Sequence, residues 1–403
     1  MSWLLAGRPL RRVLISRLRY LGDVVMSTVV AEVLRRGDPG IDLGFLCEAG
    51  HAPVLAGHPH LDRVHCLASR RRGQDAAARG KLAFPAPDGS GTGGRILPAH
   101  AGPAMVRELG RTGYDLAIDL FFNPRSAWLL RLSGIPLRIG GTSGLRRHLY
   151  SYCVQRQPVS RDNPGFDAVA PGGLGEHLCR LEPLVHGPSG LPFPQWLLRN
   201  IEPGSLRPQL TRTSPGPLAR KAMAGLGLAP DTSYIVVAPA ATWESKEWPL
   251  ERWQSFLGLL GARRSEPVVV LQPPGPARDW SGLAASLPPG RVGLLPVLDL
   301  PEVVGLLSGA SLLVSVDGGV MHAGVGLGTP TVGLFGPTRT DAWFPYESAG
   351  PYRVLATYPD CHPCHLHECQ EFVCLPGLKP ELVLQTAEQL LGETGNKVPD
   401  EGV

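Results

Sequence analysis

The sequence predicts an α/β protein of two doubly wound domains facing across a cleft. Three observations point there. Strand-like apolar runs alternate with helix-like stretches in both halves of the chain. Gly (50) and Pro (41) supply 91 of the 403 residues, too many turns for a bundle of long helices. A Pro-rich, weakly periodic stretch, residues 157–217, separates the two alternating series. A chain of this length has ample material for two buried cores.

In chain order, residues 12–16 (RVLIS) read as a buried strand leading through Gly22-Asp23 into a helical pattern over 24–36. Residues 41–46 and 114–120 are further strands, and 69–103, rich in Arg, Gly and Pro, reads as a mobile loop. The second series has strands at 234–238, 268–271, 311–316 and 331–335, with helices at 250–260, 300–309 and 381–391. This places the first domain at 1–210, the second at 218–392 and a polar tail at 393–403.

Charge is unevenly spread. Residues 1–160 carry 22 Arg/Lys and 11 Asp/Glu, a balance of +11, whereas 161–403 carry 17 and 24, a balance of −7. Only five basic residues are Lys. A basic half calls for an anionic partner; without a basic helix or interleaved aromatics, nucleic acid is not the expected one. The apolar run Trp3-Leu4-Leu5-Ala6 is too short for a secretory signal. The least charged stretch, 303–338, is broken by Gly and Pro and reads as buried strands around a short helix, not a membrane span. A cytoplasmic protein is expected.

Four segments have the composition of chemistry. Arg19-Tyr20-Leu21-Gly22-Asp23 places a carboxylate beyond a strand end, where open α/β sheets bind ligands; the competing reading is an acidic helix start. The loop 239–249 holds Thr242 and Lys246, a donor and a compact cation suited to phosphate, or else an exposed Lys in a turn. Asp317-Gly318-Gly319-Val320-Met321-His322 combines a carboxylate, two glycines at a strand-to-helix turn and a histidine, a pattern for anion binding at a helix N-terminus. Cys361, Cys364, Cys369 and Cys374 are spaced C-x2-C-x4-C-x4-C. Four thiols can surround zinc, but the later gaps are short for a zinc ribbon, so structural zinc is the lesser reading beside packed or redox-active thiols.

Together these segments resemble glycosyltransferase family 9, the ADP-heptose–lipopolysaccharide heptosyltransferases of Gram-negative bacteria. The resemblance is carried by Gly22-Asp23, Lys246-Glu247-Trp248-Pro249, Asp317 to His322, Gly328-Thr329-Pro330, Phe335-Gly336-Pro337-Thr338 and Cys361-His362-Pro363-Cys364 with Glu368-Cys369 and Cys374-Leu375. The cysteine block is most similar to the heptosyltransferase II branch. Where the family often has small residues before Gly-Asp, this chain has Arg19 and Tyr20, and Ala240 stands at a common Gly.

The resemblance implies a GT-B fold of two Rossmann-like domains, with the acceptor on the first and ADP-heptose on the second, and inverting transfer that needs no metal. It implies Asp23 as general base, with Gly22 and Arg19 on the acceptor side. Lys246 and Thr242 would hold the diphosphate, Gly318 and Gly319 would donate backbone N–H groups to it, Asp317 would bind sugar hydroxyls, and His322 would support the sugar–phosphate end. The implied partners are an ADP-sugar and an anionic lipopolysaccharide core (Kdo–lipid A or its heptosylated form), met at the cytoplasmic face of the inner membrane. Two alternatives stand beside this: the same fold with another sugar-nucleotide donor or acceptor, and a nucleotide- or metal-binding module without catalysis.

Overall fold

The computed structural model describes residues 2–69, 93–155, 163, 165–274, 279–286 and 291–395. The chain divides into two units, Met1–Thr211 and Arg212–Val403.

The strands of the first unit are β1 (Trp3–Leu5), β2 (Arg8–Pro9), β3 (Arg12–Ser16), β4 (Asp42–Glu48), β5 (Arg63–Leu67), β6 (Arg95–His100), β7 (Leu116–Asp119), β8 (Leu137–Gly140), β9 (Tyr152–Cys153), β10 (Val185–His186) and β11 (Leu191–Pro192). Seven form a parallel sheet in the order β6-β5-β4-β3-β7-β8-β9. Its central strand β3 buries Val13, Leu14 and Ile15 completely, as a strand covered on both faces must. The chain winds outward from β3 to β6, then returns to β7 on the other side of β3. That reversal opens a crevice beyond the carboxyl ends of β3 and β7.

Several expectations are corrected here. The helix predicted over 24–36 is two helices, Leu21–Met26 and Thr28–Gly37. The hydroxyls of Ser27 and Thr28 donate back to the carbonyls of Asp23 (2.6 Å) and Val25 (2.7 Å), competing with the helical ladder at the junction. Within the 69–103 segment read as a loop, Arg95–His100 is the outermost strand of the sheet, paired with β5. Its side chains are half-buried or exposed, so it lacks the apolar run that marks a covered strand. Residues 70–92 lie outside the described residues. The Pro-rich 157–217 stretch carries short helices, Phe166–Val169, Gly172–Leu178 and Phe193–Asn200.

The N-terminal apolar run also has a structural use. Trp3 is fully buried in a small antiparallel sheet, β11-β10-β1-β2. Its indole N–H donates to the Leu34 carbonyl (2.9 Å), and its ring meets His186, Phe193 and Trp196 edge-on or tilted.

In the second unit β12 (Ile235–Ala238), β13 (Val268–Val270), β14 (Val292–Leu294), β15 (Leu312–Val316), β16 (Thr331–Phe335) and β17 (Tyr352–Ala356) form a parallel sheet. The order β14-β13-β12-β15-β16-β17 is that of a Rossmann sheet, with its reversal between β12 and β15. Trp248, Trp253 and Phe256 pack with Val237, Val314 and Leu384 in one core, so the turn after β12 is anchored by its own tryptophan. The last helix runs Pro380–Gly395, beyond the predicted 381–391 and into the segment read as tail; 396–403 lie outside the described residues.

Replacing Trp3 by Ala removes a fully buried indole and its hydrogen bond to the Leu34 carbonyl, which keeps the Asp38 N–H. We expect a loss of about 3–5 kcal/mol in urea unfolding of the first unit. An unchanged midpoint would show that the N-terminal strand contributes nothing to its stability.

Candidate active site

In the second unit, the loop after β12 and the end of β15 converge at the sheet's reversal point. Adjacent parallel pairing sets Ala238 beside Ser315, so the residues that follow each strand emerge together. Asp317, just past β15, is buried, and its Oδ2 takes an ion pair from Lys246 Nζ (2.6 Å) and a hydrogen bond from Thr338 Oγ1 (2.6 Å). Lys246 and Asp317 are only 13% and 4% exposed, so neither charge is dissipated by water. Lys246 Nζ also lies 4.2 Å from the centre of the Trp243 ring, a cation–π contact. The loop is closed from within by Glu247, whose carboxylate accepts the Ala241 N–H (3.2 Å). Sequence reasoning placed Lys246 and Asp317 in one site, and they are in direct contact.

Gly318 caps the helix Gly319–Gly326 with an extended backbone (φ −173°), a conformation open to any residue. A methyl group built there would approach nothing closer than the Val316 carbonyl at 3.8 Å. Neither backbone strain nor protein packing demands glycine, and the missing side chain leaves free space over the helix N-terminus. Thr242 is exposed and makes no hydrogen bond among the described residues. His322 points into the protein, where it is 3% exposed and hydrogen-bonded through Nδ1 to the Tyr346 hydroxyl (2.9 Å).

A cavity of about 730 Å³ lies on this unit between the 239–249 loop and the cysteine segment. Glu244, Glu251 and Glu368 line it, a poor environment for a diphosphate. Among the described residues, no group of three or more His, Cys, Asp or Glu side chains is arranged to hold a metal ion. The four clustered cysteines carry no disulfide. Burial, with the neighbouring Cys364 and Cys369 adding to it, holds the Cys374 thiol above its ordinary pKa.

In the first unit, the crevice beyond β3 and β7 holds Asp23 in the first turn of the Leu21–Met26 helix. Its Oδ1 pairs with Arg17, and its Oδ2 accepts the Tyr20 N–H (3.2 Å). Arg17 in turn donates to the Leu120 carbonyl (2.7 Å) and lies 5.0 Å from the Phe121 ring centre. Arg19 reaches over Tyr20 (5.4 Å) and Phe121 (5.9 Å), and Arg146 over Phe122 (5.1 Å). The Phe121-Phe122 turn is held by Asp119, whose Oδ1 accepts both backbone N–H groups (3.1 and 3.0 Å) and whose Oδ2 accepts the Tyr150 hydroxyl (2.5 Å). Burial raises the Asp119 pKa, with these hydrogen bonds opposing it. Burial, reinforced by the Arg19 charge, lowers that of His51, so His51 is neutral at pH 7. The crevice is thus an oriented carboxylate among guanidinium groups seated on aromatic rings.

Sequence reasoning assigns no role to Arg17 or Trp243, and names Thr338 only within the Phe335-Gly336-Pro337-Thr338 motif. The signal for Thr338 was its place after the small-residue turn Gly336-Pro337, at the end of a strand next to β15.

Residues 205–371 match the model of glycosyltransferase family 9 (heptosyltransferase). Lipopolysaccharide heptosyltransferase 1 of Pseudomonas aeruginosa is 28% identical over 383 residues, covering 94% of this chain and 89% of the relative. The structure is similar to that of Escherichia coli ADP-heptose lps heptosyltransferase II (TM-score 0.63, 18% identity, 95% and 99% of the two chains). It is also similar to E. coli heptosyltransferase WaaC with ADP-2-deoxy-2-fluoro heptose (TM-score 0.58, 23% identity, 94% and 99%). The two Rossmann-like units therefore make a GT-B fold, and the chain carries a glycosyltransferase family 9 domain and is a glycosyltransferase.

Proposed function

We propose that this enzyme transfers heptose from ADP-heptose to the lipopolysaccharide inner core with inversion. The observation that carries the reading is the Lys246–Asp317–Thr338 cluster beside an open, glycine-capped helix N-terminus. It offers a diphosphate a cation and backbone N–H donors at the reversal point of a Rossmann sheet. The names of its relatives supply the sugar: lipopolysaccharide heptosyltransferases, one of them solved with an ADP-heptose analogue.

In the proposed reaction an acceptor hydroxyl oxygen attacks the anomeric carbon of the donor sugar. The new C–O bond forms as the bond from that carbon to the phosphate oxygen breaks, and ADP leaves with the bonding pair. Asp23 takes the hydroxyl proton. Both its oxygens are already engaged, but a carboxylate offers about four lone-pair sites, so the Arg17 pair and the Tyr20 N–H orient it without exhausting it. Lys246, with Thr242 nearby on the same loop, offsets charge developing on ADP, and Gly318 and Gly319 donate N–H groups to the same phosphates. Asp317 and His322 serve the sugar and the sugar–phosphate end, His322 by holding its helix against Tyr346.

The acceptor side, with Gly22, Arg19 and Arg146, suits carboxylates and phosphates of a lipid core. The basic first half, including a cavity of about 580 Å³ lined by Arg12, Arg63, Arg107 and Arg111, supports contact with an anionic membrane surface from the cytoplasmic side. No helix among the described residues is long and apolar enough to cross a membrane.

Purified enzyme should turn over ADP-heptose in preference to GDP- and UDP-sugars. Paired acceptors, with and without a first heptose, would tell which inner-core position it fills. No turnover of any ADP-sugar would sink this function. Asp23→Asn should lower kcat by roughly 10²–10⁴-fold, the range for loss of a general base, with donor KM little changed; full activity in this variant would remove Asp23 from the base role. Gly318→Ala should keep the wild-type melting temperature, since its methyl has room, yet raise donor KM several-fold. Unchanged donor KM would mean that the diphosphate does not approach this turn.

A further inference from the structure

The cysteine- and histidine-rich segment after β17 has no place in the chemistry above, yet it is tied to both sides of the Lys246–Asp317–Thr338 cluster. On one side, the His365 N–H donates to the Pro337 carbonyl (3.0 Å) and His362 Nε2 bonds the Thr338 carbonyl (3.1 Å). On the other, the Leu366 carbonyl accepts the Ser245 hydroxyl (2.6 Å) and the His367 carbonyl accepts the Ser245 N–H (3.3 Å). The His367 ring stacks on Trp243, with centroids 3.8 Å apart and planes inclined by 23°. That tryptophan is the ring over which Lys246 Nζ sits.

His367 is exposed, so the stack does not serve to bury it in a core. Its evident partner is the turn 243–246, which it grips by its ring and by its backbone. Lys246 is a flexible, four-carbon side chain, and holding it at one point needs fixed neighbours. Asp317 supplies one and the Trp243 face the other; the orientation of that face is set by His367.

We propose that His367 is a positioning residue of the donor site: through Trp243 it pre-organises the Lys246 ammonium that receives the diphosphate of the nucleotide sugar. The inference rests on the reading that Lys246 binds that diphosphate. Stacking does the positioning, so the flat ring matters and the imidazole nitrogens do not. An aromatic pair of this kind is worth about a two- to tenfold factor in an equilibrium.

Calorimetric binding of ADP to the full-length enzyme tests this, alongside kcat, donor KM and melting temperature. His367→Ala should weaken ADP binding and raise donor KM by about three- to tenfold, with kcat at saturating donor and melting temperature near wild type. His367→Phe should restore ADP affinity. In a Lys246→Met background, His367→Ala should add little. The proposal is overturned if His367→Ala binds ADP like wild type, if Phe fails to rescue, or if Ala lowers melting temperature and kcat together with KM unmoved. Lys246→Met separates the two levels. If that variant keeps wild-type ADP affinity, the underlying reading of Lys246 is wrong; if it loses affinity while His367→Ala does not, only the positioning role is.

Discussion

The ion pair between Lys246 and Asp317 is the constraint around which the second unit's site is arranged. Two parallel strands of a Rossmann sheet, β12 and β15, end side by side and deliver one charge each to a largely desolvated spot. A lone ammonium or carboxylate at that depth would be expensive, whereas the pair with the Thr338 hydroxyl is tolerable. Such a pair contributes little net stability compared with apolar packing, so its value lies in holding a cation ready in a defined place. The surroundings are otherwise unfavourable to an anion. Residues 212–403 carry 13 Arg/Lys and 19 Asp/Glu, a balance of −6, and the neighbouring cavity is lined by carboxylates. The site must work through local donors: one lysine held against an aromatic face, and a helix N-terminus left clear of side chains.

The first unit solves the complementary problem. Its crevice contains one oriented carboxylate, Asp23, among guanidinium groups of Arg17, Arg19 and Arg146 seated on Phe121, Phe122 and Tyr20. The Phe121 and Phe122 seats are fixed by the buried Asp119, which bonds their two successive backbone N–H groups and the Tyr150 hydroxyl. A base amid positive charge fits an acceptor whose reacting hydroxyl belongs to an anionic sugar, the chemistry proposed for this enzyme.

Much of this was legible in the sequence because parallel strands covered on both faces are continuous apolar runs. The strands around β3, β12, β15 and β16 announce themselves in that way, and Asp23, Lys246 and Asp317 could be placed at strand ends from spacing alone. What stayed hidden follows from the same physics. The strand β6 lies at the sheet edge, where half its side chains face solvent and no apolar run is needed. Trp3 belongs to a three-residue strand whose partners, Val185 and His186, are about 180 residues away in sequence, and local pattern does not reach that far. Arg17 and Trp243 matter through contacts made by folding, not through any local signature. The cysteine spacing left zinc as a lesser reading beside packed or redox-active thiols; in the structure the histidines and backbone of that segment brace the lysine turn and the Thr338 backbone.

The most direct test of this account is a crystal structure of the second unit's site in the full-length enzyme bound to ADP-2-deoxy-2-fluoro heptose. The account predicts diphosphate oxygens within hydrogen-bonding distance, about 2.7–3.2 Å, of Lys246 Nζ and of the N–H groups at Gly318 and Gly319. A diphosphate bound elsewhere, with Lys246 still closed on Asp317 and the helix N-terminus facing only water, would contradict it.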